Sequence, residues 1–237
     1  MFLNTKFRTN KEEQLDVFSL KGEALRDALD NIAKINQLLG GNLLTLRGVQ
    51  KLIRNFSKKE TITILDVGCG NGDMLRKLAD YGYKKNINFK LIGIDANKFT
   101  INHAKELSEN YSNISFLCHD IFEDAFREIQ YDIVLCTLTL HHFKEYQIIN
   151  LLNIFYSNSK IGIVINDLHR NSIAYRLFQV ICFIFNLNDL SKNDGLISIL
   201  RGFKKEELVD FSNELKFENY EINWKWAFRY EWIISKK

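Results

Sequence analysis

Proline is absent from all 237 residues. At an ordinary usage of ~5% about twelve would be present, so polyproline recognition segments, proline-rich linkers and cis-proline turns are excluded. Every enzyme motif that needs the residue is excluded with them. The chain is also crowded with Asn, Lys and Ile, and a compositional bias accounts for the absence. Cysteine is sparse: Cys69, Cys118, Cys136 and Cys182 are far apart, with neither a C-x-x-C pair nor zinc-ligand spacing. They read as buried thiols of a reducing compartment. Neither charge dominates, since 32 Lys and Arg against 29 Asp and Glu leave a net charge of +3. With no arginine-rich block or aromatic-interleaved basic stripe, nucleic acid is not an expected partner. The segment Met1 to Lys6 lacks a continuous apolar run, so a cytoplasmic location is expected. The most apolar stretch, 173–187, is broken by Arg176, Gln179 and Asn186 and falls short of the ~20 residues a membrane span requires. Burial in the core is its expected fate; the alternatives are lining an apolar pocket or a peripheral membrane contact.

What is present begins with helical periodicity. Leu25, Ala28, Leu29, Ile32, Ile35 and Leu39 recur at helical spacing until Gly40 and Gly41, and a second run uses Leu43, Leu46, Val49, Leu52, Ile53 and Phe56. The pattern then changes to short apolar runs at 61–67, 89–95, 114–118, 131–137 and 160–166, each followed by a turn and a helical stretch. That alternation predicts βαβ units and a parallel sheet buried on both faces. At the C-terminus Ile222, Trp224 and Trp226, then Phe228, Tyr230, Trp232 and Ile234, alternate with other residues. Two antiparallel strands with one buried face each are predicted there.

The sharpest motif is Ile64-Leu65-Asp66-Val67-Gly68-Cys69-Gly70-Asn71-Gly72-Asp73-Met74, at the end of the first strand and the start of a helix. A dinucleotide-binding G-x-G-x-x-G would place Gly where Asp73 stands. Asp66, two positions ahead of Gly68, would also face a pyrophosphate docked at the helix N-terminus. A positively charged ligand without phosphate fits this turn better. The alternative is a tight strand-to-helix turn and nothing more. The second strand ends in Asp95, roughly twenty residues beyond the loop, where a ribose-binding carboxylate belongs. A carboxylate accepts from two vicinal hydroxyls, and the alternative for Asp95 is a helix N-cap.

With these residues the chain resembles the class I S-adenosylmethionine-dependent methyltransferases. The resemblance covers about residues 60–167. It implies that Gly68, Cys69, Gly70, Asn71 and Gly72 admit the methionine part of the cofactor, and that Asp66 helps hold its amino group. It also implies that Asp95 and Ala96 meet the ribose, that Asp120 and Ile121 meet the adenine, and that Cys136 and Thr137 border the cofactor from the fourth strand. S-adenosylmethionine, leaving as S-adenosylhomocysteine, is the expected cofactor, and no metal is expected.

After the fourth strand the chain reads Thr137-Leu138-Thr139-Leu140-His141-His142-Phe143. Methyltransferases of base or amide nitrogens commonly carry a Pro-Pro-aromatic run here, and this version is similar to that of enzymes acting on quinones and other small molecules. His142 and His141 are the candidate catalytic residues, because an imidazole can take the proton of a phenol as the methyl arrives. Shaping of the site, or a purely structural role, are the alternatives. Asn166, Asp167, His169 and Arg170 after the fifth strand, with Arg201 further on, are candidates for a polar end of the substrate. The expected fold is α/β: a Rossmann-like, seven-stranded, mostly parallel sheet with an antiparallel C-terminal strand pair and N-terminal helices. A single domain is expected, with a helical cap over 1–58, a cofactor-binding core over 60–167, a substrate-side helical insertion over 168–218 and a closing strand pair over 219–237. The expected function is O-methylation of a small phenolic, quinone-like or polyketide-type acceptor. C-methylation of a quinone-like lipid, methylation of a peptide and a non-catalytic cofactor-binding partner are the alternatives, and oligomeric state stays open.

Overall fold

A computed structural model describes residues 3–56 and 60–236. Met1 and Phe2, and the cap boundary expected at residue 58, lie outside the described residues. Helices α1 (Glu23–Leu38) and α2 (Gly41–Leu52) precede the alternating series β1 (Ile62–Val67), α3 (Asp73–Lys85), β2 (Phe89–Asp95), α4 (Lys98–Leu107), β3 (Ile114–Cys118), α5 (Asp124–Arg127), β4 (Tyr131–Thr137), α6 (Glu145–Asn158) and β5 (Ser159–Leu168). Helices α7 (Ser172–Ile184), α8 (Asp189–Arg201) and α9 (Lys205–Glu214) follow, then β6 (Tyr220–Lys225) and β7 (Arg229–Ser235).

The strands form one seven-stranded sheet in the order β3-β2-β1-β4-β5-β7-β6. Only the β5–β7 and β6–β7 pairs are antiparallel. Chain order reverses between β1 and β4, and ligands of open α/β sheets bind at that switch point, beyond the carboxyl ends of the strands. Alternate residues of β1 enter different cores. Leu65 and Val67 pack on one face with Phe126, Leu151 and Phe155, while Ile62 and Ile64 pack on the other with Leu75, Leu78 and Ile101. Burial on both faces explains why these runs are continuously apolar. Helix α2 lies close on the sheet because Gly48 has no side chain; a Cβ there would sit 2.6 Å from Val164 Cγ1.

Two expectations need correction. Strand β7 is buried on both faces, Trp232 included, because it runs between β5 and β6 with α2 against it. Trp224 and Trp226, expected on a buried face, are 50% and 75% exposed, since β6 is the sheet edge and the strand ends before Trp226. Helix α7 is not core either. Only Ala174 and Cys182 are buried, whereas Phe183 is 88% exposed and Ile173, Leu177, Val180 and Ile184 are exposed too. None of the described helices is long and apolar enough to cross a membrane.

Candidate active site

The chain leaves β1 through a turn in which Gly68 and Cys69 both donate their N–H to Ile94 O, at 2.8 and 3.0 Å. Gly68 has φ +68°, and a Cβ on it would lie 2.4 Å from Thr139 Oγ1. Only glycine keeps that approach open. Gly70 N–H donates to Asp95 Oδ2 at 3.3 Å and Asn97 N–H to Asp95 Oδ1 at 2.9 Å, so the carboxylate at the end of β2 is fixed against the loop. Burial pushes Asp95 up to about 6, with these two donors pulling the other way. The helix cap considered for Asp95 belongs to Asn97, whose side chain accepts from Phe99 and Thr100 N–H. Asp66 is 2% exposed, and burial, then the neighbouring carboxylates Asp73 and Asp95, raise it well above the usual range. A ligand with an ammonium group answers that excess of negative charge, and the glycine cradle with Asp95 suits a ribose. The residues present therefore fit the expected cofactor.

These groups line one cavity of about 600 Å³ at the carboxyl ends of the strands. Asp66, Gly68, Cys69, Gly70, Asn71, Asp95, Ala96, Asp120, Ile121 and Thr137 all border it. Cys136 and Gly72 do not border it: Cys136 is fully buried in the sheet core, and the Cβ direction of Gly72 points at Phe116. The cavity continues between α1, through Leu29 and Ile32, and α7, through Leu177, Phe178 and Ile181.

At the far side β4 is followed by Leu138, with φ +52°, and a short 3-10 turn over Leu140–His142. His141 is 2% exposed; its backbone N–H donates to Asp167 Oδ2 at 3.2 Å and its Nδ1 lies 2.6 Å from Asp167 Oδ1. Burial pushes Asp167 up, but His141, the Leu168 N–H and His142 together hold it below the ordinary carboxylate value. An Asp on Nδ1 fixes the tautomer whose Nε2 carries a lone pair. That Nε2 has no hydrogen-bond partner and faces Glu13 Oε1, which also makes no hydrogen bond but stands within ion-pair distance of Arg201 and His142, at 3.7 Å. Glu13, 3% exposed, is pushed up to about 7 by burial, against the pull of His142, the Ser198 hydroxyl and Arg201. His142, which also borders the cavity, is held in the same way, with Nδ1 2.6 Å from Asp16 Oδ1.

Glu13, His141 and His142 offer ligand atoms within 4.8 Å of one another. A metal ion is disfavoured there, because Asp16 engages His142 Nδ1 and the Arg201 guanidinium already stands 3.6 Å from Glu13 Oε1. A ligand hydroxyl suits the two atoms that lack a hydrogen bond better.

Of the five residues expected to recognise substrate, His169 alone lines the cavity, and its Nδ1 accepts from Trp224 Nε1–H at 3.2 Å. Arg170 is fully buried away from it, bound to both Glu207 oxygens at 2.8 and 3.0 Å and to the carbonyls of Thr5, Lys6 and Gly202. It clamps the N-terminal segment onto α9. Asn166 donates to Gly41 O and Thr45 Oγ1, tying α2 to β5. Asp167 orients His141 as above. Arg201 binds Asp16 Oδ2 at 2.6 Å and the carbonyls of His141 and His142, so it holds the turn. Sequence reasoning missed Glu13, Asp16 and Arg229. The first two lie on an N-terminal segment without periodicity, and the last was hidden in a strand read for its aromatic residues.

A family model described as a methyltransferase domain matches residues 58–207. Among curated proteins, the ubiquinone biosynthesis O-methyltransferase of Rickettsia typhi is 31% identical over 178 residues, covering 73% of this chain and 67% of that protein. O-methyltransferase 2 of Dictyostelium discoideum is 25% identical over 166 residues, covering 68% of this chain and 46% of its own length. Thus the chain spans from about half to two thirds of these relatives. Among solved structures, the plantazolicin methyltransferase BpumL in complex with SAH superposes with a TM-score of 0.67 at 19% identity, covering 88% of this chain and 89% of that one. Magnesium protoporphyrin IX methyltransferase of Synechocystis gives 0.56 at 14% identity, with 84% of each chain covered. The structural likenesses carry the fold, and the family model and the Rickettsia relative carry the kinship. The chain belongs to the class I S-adenosylmethionine-dependent methyltransferases.

Proposed function

We propose that this protein methylates a hydroxyl oxygen on a small, largely apolar aromatic acceptor of the phenolic or quinone-like kind. The observation that carries the reading is the single cavity joining the glycine loop and Asp95 to the free Nε2 of His141, through walls supplied by α1 and α7. When bound, S-adenosylmethionine supplies an electrophilic methyl group on a sulfonium. The chain's residues then have three tasks. The glycine loop and Asp95 hold the cofactor end. Leu29, Ile32, Phe178 and Ile181 exclude water around the acceptor ring, which leaves orientation to apolar contact. His141 Nε2, its tautomer set by Asp167, receives the hydroxyl proton, while Asp16, Arg201 and Arg8 keep the turn in place.

A phenol, with pKa ~10, benefits from such a base at neutral pH. The curated relatives named for ubiquinone biosynthesis support an acceptor of this kind. Beside the cavity, α7 exposes Phe183, Ile184 and Val180, which supports entry of an amphiphilic acceptor from a membrane surface. Four unpaired cysteines support a reducing, cytoplasmic setting. The test is incubation with labelled S-adenosylmethionine and two probes, catechol and 4-decylcatechol. A labelled methyl ether, formed with higher kcat/KM from the decyl compound, supports the reading; methyl transfer to ring carbon, or to neither probe, defeats it.

A further inference from the structure

One charged group of the cavity is used by nothing above. Arg229, the first residue of β7, lines the cavity where β7 lies beside the end of β5. The residue is 4% exposed, and Nε and Nη1 have no hydrogen-bond partner. Asp167, the carboxylate whose field it feels, has one oxygen on His141 Nδ1 and the other on the His141 backbone N–H. No ion pair forms with Arg229 among the described residues. The unpartnered amide oxygen of Asn36 lies on the same side, but it is neutral and makes no hydrogen bond to the guanidinium.

Gly41 admits the Asn36 amide and the guanidinium side by side against α2, since a Cβ there would sit 1.8 Å from Asn36 Oδ1 and 2.8 Å from Nη1. Two further features suit an anion. The first turn of α2 begins at that glycine, and its N-cap, Gly40, offers no side chain to its N–H groups. Among the described residues bordering the cavity, Arg229 is the only Lys or Arg, whereas carboxylates border it on several sides. Burial lowers Arg229 to about 10, so the side chain is still a cation at neutral pH. A buried cation without a partner is costly unless a ligand completes it.

We infer that Arg229 is the anchor for a carboxylate group of a ligand bound in this cavity. A planar monoanion matches the two parallel donors of a guanidinium. A dianion such as phosphate would meet a single cation and the surrounding Asp side chains. Two ligands of the proposed reaction offer a carboxylate: the amino-acid end of the cofactor and an acidic aromatic acceptor. The inference rests on the methyltransferase reading, which has its own check in the first titration.

The experiment is calorimetry on the full chain with S-adenosylhomocysteine and its decarboxylated analogue, then on the S-adenosylhomocysteine complex with 3,4-dihydroxybenzoate and 4-methylcatechol. If the cofactor is the source, wild type prefers S-adenosylhomocysteine over the decarboxylated analogue by roughly ten- to a hundredfold, and Arg229→Gln erases the preference by weakening the former alone. If the acceptor is the source, Arg229→Gln binds S-adenosylhomocysteine as wild type does but loses a preference for 3,4-dihydroxybenzoate over 4-methylcatechol. Should Arg229→Gln fail to fold by circular dichroism, Arg229→Lys keeps the charge, loses the fork and gives the same shift in smaller measure. Unchanged preferences in the variants, or none in wild type, overturn the anchor and leave Arg229 a structural cation. Failure of wild type to bind S-adenosylhomocysteine at all defeats the methyltransferase reading instead.

Discussion

At the glycine-loop end, the groups that border the cavity come largely from one stretch, Asp66 to Ile121, with Asp66 near the end of β1, Asp95 at the end of β2 and Asp120 just after β3. At the histidine end, Glu13 and Asp16 come from the N-terminal segment, His141 from the turn after β4, Asp167 from β5, Arg201 from α8 and Arg229 from β7. The first end is assembled by local geometry, so a motif encodes it. The second is assembled by long-range packing, and its residues carry meaning only once the sheet order is known. A cofactor shared by a whole family fits the local design, and an acceptor particular to one member fits the dispersed one.

Substitutions separate the two ends. The largest effect is expected for His141→Gln, which should lower kcat by ~10²–10⁴-fold while calorimetry shows unchanged affinity for S-adenosylhomocysteine. Equal loss of both would erase the division of labour. Arg170→Met, at the clamp between the N-terminal segment and α9, takes the ion partner from Glu207 and the donor from the carbonyls of Thr5, Lys6 and Gly202, and should cost about 3–5 kcal/mol of stability. It should leave the turnover of the remaining folded protein intact; a selective loss of turnover in a protein with unchanged melting would return Arg170 to the acceptor site. Gly68→Ala should weaken cofactor binding by about 2–4 kcal/mol, from contact with Thr139 and a left-handed backbone. Its effect on acceptor recognition should be no more than secondary.

A pH series sharpens the cofactor end. Asp95 is raised to about 6, so below that pH it carries a proton that must leave before the carboxylate can accept from a ribose. Affinity for S-adenosylhomocysteine should fall roughly tenfold per pH unit below 6, and Asp95→Asn should flatten the profile. In the unliganded protein the sign reverses: a carboxyl with a raised folded value favours the folded state at low pH and loses that contribution as pH rises through 6. The smallest effect is expected for Phe183→Ser on the exposed face of α7. Stability should change by less than about 0.5 kcal/mol, while sedimentation with anionic lipid vesicles reports whether that face meets a membrane.

The legibility of the chain follows the same division. The parallel strands were readable to within a residue or two because burial on both faces forces continuous apolar runs, as in Ile62–Val67 and Tyr131–Thr137. Strand β7 misled, since an antiparallel strand inserted beside β5 is buried on both faces even though its sequence alternates. Helix α7 misled in the opposite direction. Its apolar composition does not distinguish a core helix from one that borders a cavity and faces outward. Among the site residues, Asp167 and Arg201 were legible as residues near the carboxyl edge, but whether they face the ligand or brace His141 depends on side-chain direction.

By itself the sequence determined the α/β class, the carboxyl edge as the working edge, the glycine cradle and its carboxylates, because each follows from backbone sterics, periodicity or spacing within a few dozen residues. The tertiary structure alone decided that Asp16 holds His142, which cations brace the site, and that Glu13 and Arg229 reach the cavity. Those outcomes depend on contacts between segments more than a hundred residues apart, and nothing local in the chain records where such segments will meet.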